Sequence, residues 1–137
     1  MAQIRQLMTV KPRTVKSGDS IVEAAKLMRG EDTGIAPVVD GDRLVGVVTD
    51  RDIAVRVVAE GRDPGETTVD EIASQELVTV DPQQDFDEAL RLMAQHQVRR
   101  LPVVEEDGKL VGIVSQADVA RYADAERTGE VVEEISE

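Results

Sequence analysis

One pattern is written twice in this chain, and the repetition constrains the fold more than any single motif. Thr14-Val15 returns as Thr79-Val80, 65 residues on. The same spacing holds for Glu23 and Glu88, Ala24 and Ala89, Leu27-Met28 and Leu92-Met93, and Pro37-Val38-Val39 and Pro102-Val103-Val104. One residue is then added in a turn, after which Leu44-Val45-Gly46 matches Leu110-Val111-Gly112 and Asp52 matches Asp118 at a spacing of 66. An extra residue confined to a turn is what a duplicated fold tolerates best. With 137 residues to divide between the two copies, no third domain fits.

Each copy carries the same signals. Ser20 to Gly30 predicts a short amphipathic helix with Ser20 and Glu23 as a capping box, Ile21, Ala24, Ala25 and Met28 on one face, and Gly30 at the close. Asp85 to Gln95 repeats it, with Asp85 and Glu88 as the box and Phe86, Ala89, Leu90 and Met93 as the face. Leu27, Met28, Leu92 and Met93 read as core fillers. A hairpin follows in each copy, Ile35 to Val39 with Leu44 to Val48, and Arg100 to Val104 with Leu110 to Val114. Pro37 and Pro102 inside the first strand predict an edge or a strand start. A second helix comes next, Asp50 to Ala59 or Gln116 to roughly Ala125.

The fold class is therefore α/β (α+β), two β-α-β-β-α repeats expected to pack sheet to sheet about a pseudo-twofold axis, with clefts between them. The expected division is a first repeat with the N-terminal segment (1–60), a linker and short helix (61–75), a second repeat (76–125) and an acidic, solvated tail (126–137). Residues 3–8 are the expected counterpart of the short helix at Val69 to Ala73.

Composition removes several function classes. Phe86 and Tyr122 are the only aromatic residues, so the core is aliphatic and offers no stacking platform. With no cysteine there is no disulfide, thiolate metal site or cysteine nucleophile, which fits a reducing compartment, and cytoplasmic placement is expected. No run approaches the roughly 20 apolar residues of a membrane helix. A formal charge of −12 repels phosphate backbones and anionic lipid, so neither a nucleic-acid nor a membrane partner is expected. The one dense basic pair is Arg99-Arg100. His96, the sole histidine, falls at a helix end and reads as exposed or dipole-stabilised, and Asp40-Gly41-Asp42 reads as a turn; no metal site is expected.

Both hairpins end in Gly-x-x-Thr/Ser-x-x-Asp: Gly46 to Asp52, with Thr49, and Gly112 to Asp118, with Ser115. A hydroxyl at a helix N-cap beside a carboxylate at the third helical position can hold a vicinal diol such as ribose, while free N–H groups and the helix dipole favour phosphate. The glycine would admit a ligand. The same spacing is an ordinary capping box, and either copy alone favours that reading. Its return in register, with the shorter Asp where the first helices use Glu, points toward a ligand.

The duplicated T-V…E-A…L-M…P-V-V…L-V-G-x-V-T/S-x-x-D pattern, over about residues 7–122, resembles the CBS (cystathionine-β-synthase-type) domain family, and the pair resembles a Bateman module. The resemblance implies a regulatory, non-catalytic module that binds AMP, ADP or ATP, with S-adenosylmethionine less favoured. It further implies a disc-like homodimer and, as no effector domain is fused to it, a separate effector protein acting in trans. No cofactor is implied.

Carried over by residue, the preferred second site comprises Thr79 and Val80 near the base, Arg99 and Arg100 before Leu101-Pro102 for phosphate, and Ser115 with Asp118 for ribose. A guanidinium suits phosphate because it offers bidentate donors and stays charged; alternatively the two arginines pair with nearby acids on an exposed edge. The weaker first site comprises Thr14, Val15, Ile35, Pro37, Thr49 and Asp52. There Gly34-Ile35 stands in place of Arg99-Arg100, leaving phosphate poorly met unless Arg51 or the other repeat supplies charge. Two other functions stay open: a dimeric interaction scaffold that binds no nucleotide, and an enzyme, which would have to rest on carboxylates alone.

Overall fold

Short leading segments complete each repeat, and the two repeats exchange them. In the structure, a computed structural model that describes residues 2–128, the first elements are a 3-10 turn at Ile4–Gln6 and strand β1 (Thr9–Val10). Both belong to a compact unit built otherwise from Val78–Glu106 and the described residues from Val111 onward. The other unit is Arg13–Leu77 with Asp107–Leu110. Each unit thus takes the segment that precedes the other repeat in sequence.

In the unit of the first repeat, β2 (Val15–Lys16) leads into α1 (Ile21–Glu31), then β3 (Ile35–Asp40), β4 (Arg43–Thr49) and α2 (Asp50–Ile53). The chain then widens into a π-helical turn at Ala54–Val58, so the expected helix over Asp50 to Ala59 has two geometries. Short helix α3 (Val69–Ile72) follows. The sheet runs β2-β3-β4, β2 parallel and β4 antiparallel to β3. Val15, Ile21, Ala24, Leu27, Met28, Ala36, Val38, Val48 and Val57 form its core, closed by Val69 and Ile72 of α3.

The second repeat supplies α4 (Phe86–His96), β5 (Arg100–Val104), β6 (Leu110–Ser115) and α5 (Gln116–Thr128). Its sheet runs β1-β6-β5, and Val80 adds a single parallel bridge to Val103 in place of a full strand. Ile4, fully buried, joins Val80, Ala89, Met93, Leu101, Val103, Val114 and Val119 in the core. The two aromatic rings, Phe86 and Tyr122, meet here at 5.2 Å. Ile4 and Ile72 do equivalent work, each burial contributing about 1.5–3 kcal/mol.

Several expectations are corrected. Ala25 and Leu90 are exposed, while Leu27 is buried and Leu92 packs on the core, so both helix faces are rotated toward the Leu-Met pair. Helix α1 continues through Gly30 and stops where Asp32 turns left-handed (φ 50°); Gln97 stops α4 the same way (φ 55°). Asp accepts this conformation through its short polar side chain. Ser20 makes no side-chain cap and Asp85 caps Asp87 N, so neither Glu23 nor Glu88 closes the expected box. Both glutamates reach forward along the helix instead, to Lys26 and Arg91.

β3 is central in its sheet, against the edge expected from Pro37. Its partner β2 covers only Val38 and Val39, so Pro37 leaves no ladder bond unmade. At Pro102 the carbonyl accepts from Val80 N (3.1 Å) and no amide is required on that side. Helix α5 extends to Thr128, beyond the expected Ala125, and the acidic tail from residue 129 lies outside the described residues. Among the described residues no helix is long and apolar enough to cross a membrane.

Candidate functional site

The two strand-to-helix turns are built alike. In the first repeat Thr49 N donates to Asp52 Oδ2 (2.9 Å) and Asp52 N donates to Thr49 Oγ1 (3.1 Å). In the second, Ser115 N donates to Asp118 Oδ2 (3.0 Å) and Asp118 N donates to Ser115 Oγ (3.0 Å). The capping reading is thus realised in both. In each, one carboxylate oxygen, Oδ2, is occupied by the cap, and in the second turn the other accepts from the Arg121 guanidinium.

The glycine that opens each motif has a packing reason. A Cβ on Gly112 would stand 2.6 Å from Met8 Sδ and 2.9 Å from Thr9 O, and one on Gly46 would stand 3.1 Å from Ala73 Cβ and 3.2 Å from Ser74 O. The exchanged segments fill the space that the sequence assigned to a ligand. Those approaches are fixed by pairing, Val10 with Gly112 and Val47 with Ser74.

Around the second turn the backbone draws several candidates together. Arg99 O accepts from Gln116 N (2.7 Å), which places the Arg99-Arg100 pair at the start of α5 beside Ser115 and Asp118. Val80 N reaches Pro102 O, and Val104 N donates to Val80 O (2.8 Å), so Thr79 and Val80 run alongside β5. Arg99 is exposed, Arg100 and Thr79 are half-buried, and Val80 and Pro102 are buried. Among the described residues neither arginine has a carboxylate within 4.0 Å; the surface ion pairs expected for them as an alternative are not formed.

The first turn repeats the backbone and reverses the charge. Gly34 O accepts from Asp50 N (2.9 Å) as Arg99 O does from Gln116 N, Ile35 pairs with Thr49, and Val15 pairs with Val38 so that the exposed Thr14 precedes the strand. Pro37 is buried opposite Val47. Where the second repeat has arginine, a Cβ on Gly34 would lie 2.7 Å from Asp50 Oδ2. Asp50 therefore puts a carboxylate beside the position at which the second repeat carries Arg99. Arg51 is exposed and gives Asp50 only a backbone contact, its N–H donating to Asp50 Oδ1 (2.8 Å).

The roles of three residues, Asp50, Gln116 and Arg121, escaped the sequence reading. Asp50 and Gln116 occupy corresponding positions and differ in charge, a contrast visible in an alignment of the repeats at the spacing of 66. Arg121 donates to Asp118 Oδ1, an i,i+3 pair that the helical spacing of α5 could have suggested. A third capping box, Thr68 with Glu71 at α3, was also missed. The Thr68 backbone bond, then Arg62 at 2.6 Å, hold the Glu71 carboxyl below its ordinary value of 4.5. Arg91 does the same for Glu88, and its own value is raised in return. His96 ends α4 and is exposed.

A family model for the CBS domain matches residues 4–59 and 69–125. The CBS domain-containing protein YhcV of Bacillus subtilis is 47% identical over 120 residues, 88% of this chain and 84% of that protein. A crystal structure of Hypoxic Response Protein I with two coordinated zinc ions superimposes with a TM-score of 0.81 at 40% identity, covering 88% of this chain and 98% of the other. The crystal structure of CBSX2 in complex with AMP also gives a TM-score of 0.81, at 27% identity, covering 93% and 99%. The duplicated motif, its two matched turns and these relatives lead to one conclusion: this chain belongs to the CBS domain family, as a protein built from a pair of CBS domains.

Proposed function

We propose that this CBS pair is a regulatory module that binds an adenine nucleotide of the AMP, ADP or ATP class at its second site and signals to a separate effector protein. The observation that carries this reading is the pair Arg99-Arg100, without acidic partners among the described residues in a chain of net charge −12, set beside the Ser115–Asp118 box. Unneutralised guanidinium groups next to a helix start are suited to phosphate, and the Asp118 carboxylate is suited to a ribose diol. Thr79 and Val80, beside Pro102, would face the base. The AMP complex of CBSX2 supports the choice of ligand class. No catalytic role is proposed. Self-association as a homodimer and action in the cytoplasm complete the reading, the latter in keeping with the absence of cysteine.

Calorimetric titration with AMP, ADP, ATP and S-adenosylmethionine, on protein stripped of co-purified ligand, tests it. Saturable binding is expected, abolished by Asp118→Ala and weakened by Arg100→Ala most strongly for the more phosphorylated ligands. Silence with all four ligands at millimolar concentration would overturn the nucleotide reading. A second reading, a CBS-fold interaction scaffold without nucleotide, is favoured by Asp50, which opposes phosphate at the first site. It predicts that silence.

A further inference from the structure

We infer that Arg121 is a further residue of the second site, the counter-ion that a ribose diol must displace from Asp118; this rests on the nucleotide reading above. Asp118 has two carboxylate oxygens in use: Oδ2 accepts from Ser115 N at 3.0 Å, and Oδ1 accepts from the Arg121 guanidinium. The cap claims the first as part of the fold. A diol gripping the carboxylate therefore needs Oδ1, the atom that Arg121 holds. The two partners differ sharply in exposure, the Asp118 side chain being 11% and that of Arg121 77% accessible. The carboxylate is fixed, whereas the guanidinium is at the surface and can leave. Such a pair is weak and is screened by salt.

The first repeat provides an internal contrast. At the spacing of 66 the counterpart of Arg121 is Val55, 47% exposed, and Asp52 has no ion-pair partner among the described residues. The counter-ion is thus particular to the turn that also carries Arg99 and Arg100. Its effect is to lower the affinity of the empty site and to make that affinity depend on ionic strength. For an uncharged ligand the dependence has an unusual sign. Salt weakens Arg121 on Asp118 and so strengthens the diol's access, whereas a phosphate contact only weakens with salt.

Adenosine, which has the ribose and no phosphate, is the probe, titrated beside AMP into the full chain and into Arg121→Ala and Arg121→Lys variants. The cap uses Ser115 and Oδ2, so removal of an exposed guanidinium leaves α5 closed. In the unaltered protein adenosine is expected to bind about two- to fivefold tighter as ionic strength rises from about 0.01 M to about 1 M. Arg121→Ala should show the tighter value at low salt and lose the salt dependence, with Arg121→Lys between the two. Unchanged adenosine affinity in Arg121→Ala overturns the inference and leaves the nucleotide reading standing. So does a loss confined to AMP, which would make Arg121 a phosphate ligand. Binding of neither ligand by any of the proteins overturns both.

Discussion

The turns at Thr49–Asp52 and Ser115–Asp118 share a backbone and differ in charge. Both close a capping box, both receive an amide from the helix start onto the carbonyl at position 34 or 99, and both have a glycine against an exchanged segment. Around that common frame, Gly34, Asp50 and Val55 in the first repeat stand where Arg99, Gln116 and Arg121 stand in the second. The features that recur are those the fold itself needs. The features that differ do so in charge, Asp50 in the first repeat against Arg99 and Arg121 in the second, and it is there that the proposed function separates the two repeats.

The largest test concerns the shared frame. Ile4→Ala and Ile72→Ala each delete a fully buried side chain of an exchanged segment and should cost about 2–5 kcal/mol, by similar amounts, in denaturant unfolding. Hydrogen exchange should then show the loss of protection in the second-repeat unit for Ile4→Ala and in the first for Ile72→Ala. A marked imbalance would break the equivalence of the two units.

The charge difference can be transplanted. Gly34→Arg alone would collide with Asp50, so the variant to make is Gly34→Arg with Asp50→Gln, which copies the second turn onto the first. A gained charge-assisted contact of about 1.5–3 kcal/mol predicts roughly ten- to hundredfold tighter AMP binding at the first turn. Unchanged affinity there would show that the difference between the turns lies elsewhere than in these two positions.

Caps offer a smaller effect. Thr49→Ala and Ser115→Ala should each lower stability by about 0.5–2 kcal/mol, whereas Ser20→Ala, whose hydroxyl caps nothing, should be near neutral. Equal losses at all three would remove the distinction between first and second helices.

Smallest is the acid response of α3. Because Glu71 has its folded value held below 4.5, its contribution is full above that pH and is lost as pH falls through the lower folded value. Glu71→Gln should therefore lower stability slightly at neutral pH, flatten the acid side of the stability curve and converge with the unaltered protein at low pH. A steeper acid limb in the variant would reverse the assignment.

Much of the fold was legible because it is local and repeated. Helices, hairpins and the Leu-Met core positions follow from period and spacing, and the duplication located both turns. What was not legible depends on distant chain. Nothing near Ile4 in sequence says that it enters the core beside Val80 and Val103, and so the glycine of each motif was assigned to a ligand when Met8, Thr9, Ala73 and Ser74 were its neighbours. Pro37 misled for the same reason, since the brevity of β2 is what lets a proline sit in a central strand. The boxes at Glu23 and Glu88 failed because long side chains have alternative partners one turn ahead, while the shorter Asp52 and Asp118 stay at the cap. At the candidate site the residue types and spacings were readable, whereas the contact of Arg121 with Asp118 Oδ1 and the approach of the Asp50 carboxylate to Gly34 needed coordinates.

The central claim is that the two turns differ in function although they share a frame, and amide chemical-shift mapping with AMP tests it most directly. The account predicts saturable shifts at Thr79-Val80, Arg99 to Leu101 and Ser115 to Asp118, with Thr14-Val15, Gly34-Ile35 and Thr49 to Asp52 unmoved at the same concentration. Shifts centred on the first turn, or equal at both, would contradict it.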